Sequence, residues 1–98
     1  MDTMAEIIYV VIGTMGEYAE WPVAAYTNKE EAKKHLKLAK KRASEIQIEM
    51  YEARPFQYWD IPIKNDYDKN MKIDNTGTSY FIYEVELFVD IFQYKLEI

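Results

Sequence analysis

The sequence predicts an α+β domain: a three-stranded, mainly antiparallel sheet of order 2-1-3 with one long helix packed on one face. Three observations carry this expectation. Residues 6–13 are a near-continuous run of β-branched and aromatic side chains, followed by a second extended stretch at about 20–27. Residues 28–53 contain no Gly or Pro and repeat their apolar positions at spacings of four and three. Residues 79–90 alternate in polarity with the period of a strand. The chain has 98 residues, of which 49% are hydrophobic, so it is long and apolar enough for one core and too apolar for a disordered chain.

The first strand, Glu6 to Gly13, is apolar at consecutive rather than alternate positions. Such a strand is expected to be central and covered on both faces. Gly13 and Gly16 are expected to end it, with Gly13-Thr14-Met15-Gly16 as the hairpin turn. In the second strand Pro22 lacks an amide donor, which suits an edge position.

The helix opens at Thr27 or Asn28, with Glu30 or Glu31 as the acidic residue of a capping box. Ala32, Leu36, Ala39, Ala43, Ile46 and Met50 then define one face. Three of the first four are alanines, so the helix can lie close to the sheet. At 1.5 Å per residue it is about 38 Å long, against about 27 Å for an eight-residue strand. Its last turns therefore overhang the sheet, bend, or find another partner.

Residues 54–78 show no period and read as a long loop, either functional or hiding structure of its own. In the third strand Phe81, Tyr83, Val85, Leu87 and Val89 share one face. After Asp90 the phase slips to Phe92, Tyr94, Leu96 and Ile98, which a bulge or turn near Asp90 would explain. That apolar tail suggests a homodimer contact or a covered sheet edge.

This topology gathers the hairpin loop, the helix end and the long loop at one rim of the sheet. Glu17, Tyr18, Trp21, Tyr58, Trp59, Asp68, Asp74 and Thr76 are the candidate partner-contacting residues there. Tyr and Trp dominate binding hot spots, and loops on a rigid sheet are where function concentrates.

Catalytic and cofactor signatures are weak. The sequence has no Cys and a single His, His35, on the helix border. No nucleophile–base pair can be composed from it. Asp66-Tyr67-Asp68-Lys69-Asn70 opens like a calcium loop, but Met71 stands where that loop needs Gly and Gly77 where it needs Glu. No phosphate-binding glycine motif occurs. Glu84 and Glu86 share a strand face and read as solvated. The expectation is a protein with no catalytic residue, metal or cofactor.

Net charge is −5, unevenly spread. Residues 29–42 hold seven Lys or Arg against two Glu, whereas residues 1–28 hold four acids and no base. Lys33, Lys37 and Lys41 form a basic stripe along the helix. It reads as a solvated face, as a surface for an acidic partner, or as a contact for a nucleic-acid backbone; the acidic remainder disfavours the last. The longest strongly apolar run, Ile7–Ile12, is far shorter than a membrane span. An acid near the start replaces the basic residues of a signal peptide. A cytoplasmic protein without membrane contact is expected.

Two stretches resemble small proteins encoded by bacteriophages and prophages. One is Ile8-Tyr9-Val10-Val11-Ile12-Gly13 with Gly16-Glu17-Tyr18 and Trp21-Pro22-Val23-Ala24-Ala25-Tyr26. The other is Tyr67-Asp68, Met71, Asp74, Thr76-Gly77-Thr78-Ser79-Tyr80 and Glu84-Val85-Glu86-Leu87. The likeness runs over about residues 7–88 and brings no catalytic residues. It implies a non-enzymatic interaction protein in a host cytoplasm, such as an inhibitor that occludes a host defence factor, for example a CRISPR effector. The alternatives are a small-ligand or nucleotide-binding module on the rim, and a single-stranded nucleic-acid binder using the basic stripe.

Overall fold

A computed structural model of the chain describes residues 3–17, 19–53, 62–74 and 76–90. The elements run β1 (Thr3–Met15), β2 (Ala19–Tyr26), α1 (Lys29–Ala53) and β3 (Ser79–Asp90). The sheet order is β2-β1-β3, with both pairings antiparallel. This is the α+β fold and strand order that the sequence predicts.

The helix begins where its cap dictates. The Asn28 side-chain oxygen accepts the Glu31 amide at 3.1 Å, and the Asn28 carbonyl accepts the Ala32 amide at 3.2 Å. Ala32, Ala39, Ala43 and Ile46 are fully buried, and Leu36 and Met50 are half-buried. The predicted face is therefore the packed face. Its alanines let the helix backbone approach the sheet, and Ile46 joins Trp21, Ala43 and Met71 in the core. Farther along, Met50 still packs against the core, while Ile48 and Tyr51 are exposed.

β1 is longer than the sequence suggests. Thr14 and Met15 are paired strand residues, opposite Glu20 and Ala19, and Thr14 also faces Ser79. The chain reverses only at Gly16, whose φ is 58°. Gly13 is thus not the end of a strand but the centre of a three-residue row, Trp21–Gly13–Tyr80, across the sheet. The Trp21 indole lies over Gly13. A β-carbon placed there would come within 2.7 Å of the ring. Gly inside a strand costs about 0.5–1 kcal/mol. Burying an indole contributes roughly 4 kcal/mol, so the exchange favours the glycine.

β2 is an edge strand, and Pro22 sits beside a bulge where the register shifts between Val11 and Ile12. The bulge brings Val23 into the core alongside Trp21.

Coverage on both sides of β1 is not what the described residues provide. The helix and the described loop residues cover the face of Val11 and Gly13, although Ile7 at its far end is exposed; on the other face Ile12 is buried while Tyr83 and Val85 are exposed. The phase slip after Asp90 and the apolar tail lie outside the described residues.

Gly13→Ala tests the close approach. The variant is expected to lose about 2 kcal/mol, the ordinary cost of overpacking, read as a lower urea midpoint. A midpoint equal to the parent's would show that the indole does not need the gap.

Candidate functional site

The long loop is ordered by turn chemistry. The Asp68 amide donates to the Asn65 carbonyl at 3.0 Å, Met71 to Asp68 at 3.2 Å, and Gly77 to Asp74 at 3.0 Å. Asn65 and Asp74 add side-chain caps, accepting the amides of Tyr67 and Thr76 at 3.0 and 2.8 Å. Gly77, with φ 87°, closes the last turn against Gln47 of the helix. The result is a period of three: Asn65, Asp68 and Met71 all point inward and are buried.

Asp68 is the centre of the arrangement. It is 3% exposed, and both carboxyl oxygens lie 3.0 Å from the Trp21 Nε1–H. The Tyr80 hydroxyl donates to Oδ2 at 2.7 Å. Trp21 and Tyr80 are the two ends of the row that Gly13 bisects, so the sheet itself sets the spacing of the donors. Burial, then the hydrogen bond to Asp68 and the charge of that group, raise the Tyr80 pKa above the ordinary phenol value.

Asn65 secures the loop to the helix. Its side-chain amide donates to the Ala39 carbonyl at 3.0 Å and lies 3.4 Å from the Met71 sulfur. Arg42 donates through Nε to the Lys64 carbonyl at 2.9 Å and pairs with Glu45 and Glu49. His35 joins three elements. The Tyr67 carbonyl can only accept, so Nε2 carries the hydrogen in their 2.6 Å contact. Nδ1 meets the Tyr26 hydroxyl at 2.8 Å. The helix-border histidine thus latches β2 and the loop to α1.

These contacts change the placement of the predicted rim. Trp21, 7% exposed, and Asp68 lie in the interior and do not face solvent. A carboxylate between two fixed donors is held by the sheet, and an indole over a glycine is held by the core. Asp68 is therefore not turned outward as a calcium loop would require. Asp74 is half-buried and Thr76 exposed; they bond to each other, and the Thr76 hydroxyl and amide hold the Asp74 carboxyl below its ordinary pKa. Glu17 is exposed at the hairpin. Tyr18, Tyr58 and Trp59 lie outside the described residues. The residues missed from sequence are Asn65, Tyr80 and His35. The available signal was the repeat of Asn65, Asp68, Met71, Asp74 and Gly77 at intervals of three.

The basic stripe lies on the outer side of α1. Lys33, Lys37 and Lys41 are exposed, as are Lys34 and Lys40. Lys33 meets Glu30 at 3.8 Å. Among the described residues the other four have no ion pair. No group of three or more His, Cys, Asp or Glu suited to a metal occurs among the described residues. No helix among them is long and apolar enough to cross a membrane.

Compared with known proteins, the chain matches no family model, no curated protein and no solved structure.

Removing the carboxylate in Asp68→Ala strands the buried Trp21 indole N–H and the half-buried Tyr80 hydroxyl. Stability is expected to fall by about 3 kcal/mol, seen as a lower urea midpoint at unchanged slope. A loss below ~1 kcal/mol would show that the contact is dispensable.

Tyr80 gives a pH signature. Its folded pKa is raised, so its contribution is fully present below the unfolded pKa of about 10. Above that pH the unfolded phenol ionises first and stability declines. Equilibrium unfolding across this range is expected to show a shallower decline in Tyr80→Phe than in the parent. Identical slopes would remove Tyr80 as the cause.

Proposed function

We propose that the protein is a non-enzymatic interaction protein that binds an acidic surface of a partner protein through the outer face of α1. The observation that carries this reading is the row of five exposed lysines, four without an ion pair among the described residues. Lysines four apart repel one another by a few tenths of a kcal/mol each. An acidic partner relieves that repulsion and is drawn in by the field of the stripe. The polar groups nearest to a chemical role support the same reading, because Asp68, Tyr80, Trp21 and His35 are engaged with one another or with the backbone.

The likeness to phage-encoded proteins supports a host factor as the partner, bound in the host cytoplasm and inhibited by occlusion. An inhibitor of a defence system such as a CRISPR effector belongs to that class. Glu17 and the Asp74–Thr76 turn form a second, acidic contact region at the hairpin end.

The test is capture of partners from host lysate, with and without nuclease treatment, by the tagged chain and by the Lys37→Glu, Lys41→Glu double variant. The parent is expected to retain one protein stoichiometrically. The double variant, folded by circular dichroism, is expected to bind it at least about tenfold more weakly. Capture that disappears with nuclease treatment would reassign the stripe to nucleic acid. Capture indifferent to charge reversal would remove α1 from the interface.

A further inference from the structure

The outer face of α1 carries a second repeat, one that packing on the sheet does not use. Lys34, Leu38, Lys41, Glu45, Ile48 and Glu52 recur at spacings of four and three, and all six are exposed. That spacing sets them along one seam of the helix, roughly opposite the buried row of Ala32, Ala39, Ala43 and Ile46. The seam is basic in its first half and acidic in its second. Leu38, 38% exposed, and Ile48, 57% exposed, are its apolar members. Glu52 stands near the end of the helix, whose last turn holds no basic residue, so the helix dipole disfavours it. Among the described residues neither Lys34 nor Glu52 has an ion pair.

We propose that a second copy of this chain docks on this seam, its α1 running antiparallel to the first. Charge selects the occupant. A two-fold axis level with Ala43 brings Lys34 against Glu52 of the second copy, Lys41 against Glu45, and Leu38 against Ile48. Every pair is opposite in charge or apolar on both sides, and two-fold symmetry makes each of them twice. A parallel second copy would instead set Lys34 on Lys34 and Glu52 on Glu52, and like charges facing one another are costly. Leu38 lies one turn from both Lys34 and Lys41, so the apolar contact sits inside a charged rim, the ordinary anatomy of an interface. Glu45 and Glu49 share the single guanidinium of Arg42, which leaves the Glu45 carboxylate open to a second cation. The inference does not rest on the function proposed above, because it needs no other protein. An acidic partner would compete with the second copy for Lys34 and Lys41.

Sedimentation equilibrium of the pure full chain, from about 1 μM to about 1 mM, provides the test. A dimer is expected, and its association is expected to weaken as salt rises, because its ion pairs lie near solvent. Lys34→Glu and Glu52→Lys, each alone, set like charges opposite one another and are expected to weaken it at least about tenfold. The Lys34→Glu, Glu52→Lys double variant restores opposite charges and is expected to dimerise as the parent does. Within one helix the two residues are about 27 Å apart, so this rescue requires a second copy. Glu52→Lys also lowers the net negative charge, so weaker association there separates the seam from general repulsion between copies. Ile48→Asp, which sets a carboxylate on Leu38 of the second copy, is expected to weaken the dimer to a similar extent. These side chains are exposed in one copy, and circular dichroism checks that each variant folds. A monomer throughout the range overturns the proposal. A dimer that both single charge variants leave intact overturns it as well, as does one that the double variant fails to restore.

Discussion

A buried carboxylate is tolerated only where donors meet it, and here the whole site follows from that condition. Asp68 is removed from water, which is costly for any polar group without partners. The Trp21 indole and the Tyr80 hydroxyl supply the donors from strands on either side of β1. Their separation is fixed by one residue between them, and that residue must be Gly13, because the indole occupies the space a side chain would need. Sheet register, glycine and loop are thus parts of one arrangement. Among the described residues no buried side-chain nitrogen or oxygen is left without a partner, so the polar interior adds specificity without an orphan group.

The same arrangement divides the molecule into an inward-looking half and an outward-looking one. In the loop stretch rich in Asp and Asn, Asn65 and Asp68 turn toward the core while Asp66 and Asn70 stay exposed. Among the described residues, the exposed surface includes a cationic helix face, with Lys33, Lys37 and Lys41, and an acidic hairpin end, with Glu17. Neither is needed to hold the helix on the sheet; Ala32, Ala39, Ala43 and Ile46 do that. Surfaces that the fold does not require are where a binding role is most economically placed.

Much of the fold was legible because its causes are local. Asn28 caps the helix, the alanine face keeps its 3.6-residue period, and the alternation of 79–90 gives β3. The strand order followed from the hairpin and the crossover. The site was less legible because its causes are not local. Trp21 and Asp68 are 47 positions apart, and nothing near Asp68 in sequence announces a donor for it. An acid in a turn-rich stretch is normally solvated, and a tryptophan beside a hairpin is equally compatible with either side of a surface. Gly13 was misread for a similar reason: a glycine at the end of an apolar run marks a turn by default, and only its cross-strand neighbour shows that it is a packing residue. β1 outran its apolar segment because strand pairing extends through Thr14, opposite both neighbours, and Met15, opposite Ala19 of β2.

The contact of Asp68 with Trp21 and Tyr80 also constrains the order in which the molecule can assemble. Trp21 and Tyr80 come within reach of one carboxylate only after β2 and β3 have both paired with β1, and β3 follows the loop in the chain. The turns at Asn65 and Asp68 can form early, since their bonds span three residues. Their docking cannot, because the receiving groups do not yet exist as a pair. Seating Asp68 between Trp21 and Tyr80 therefore requires the three-stranded sheet to be in place. The measure of complete folding in this chain is the environment of one indole, not the content of helix or sheet.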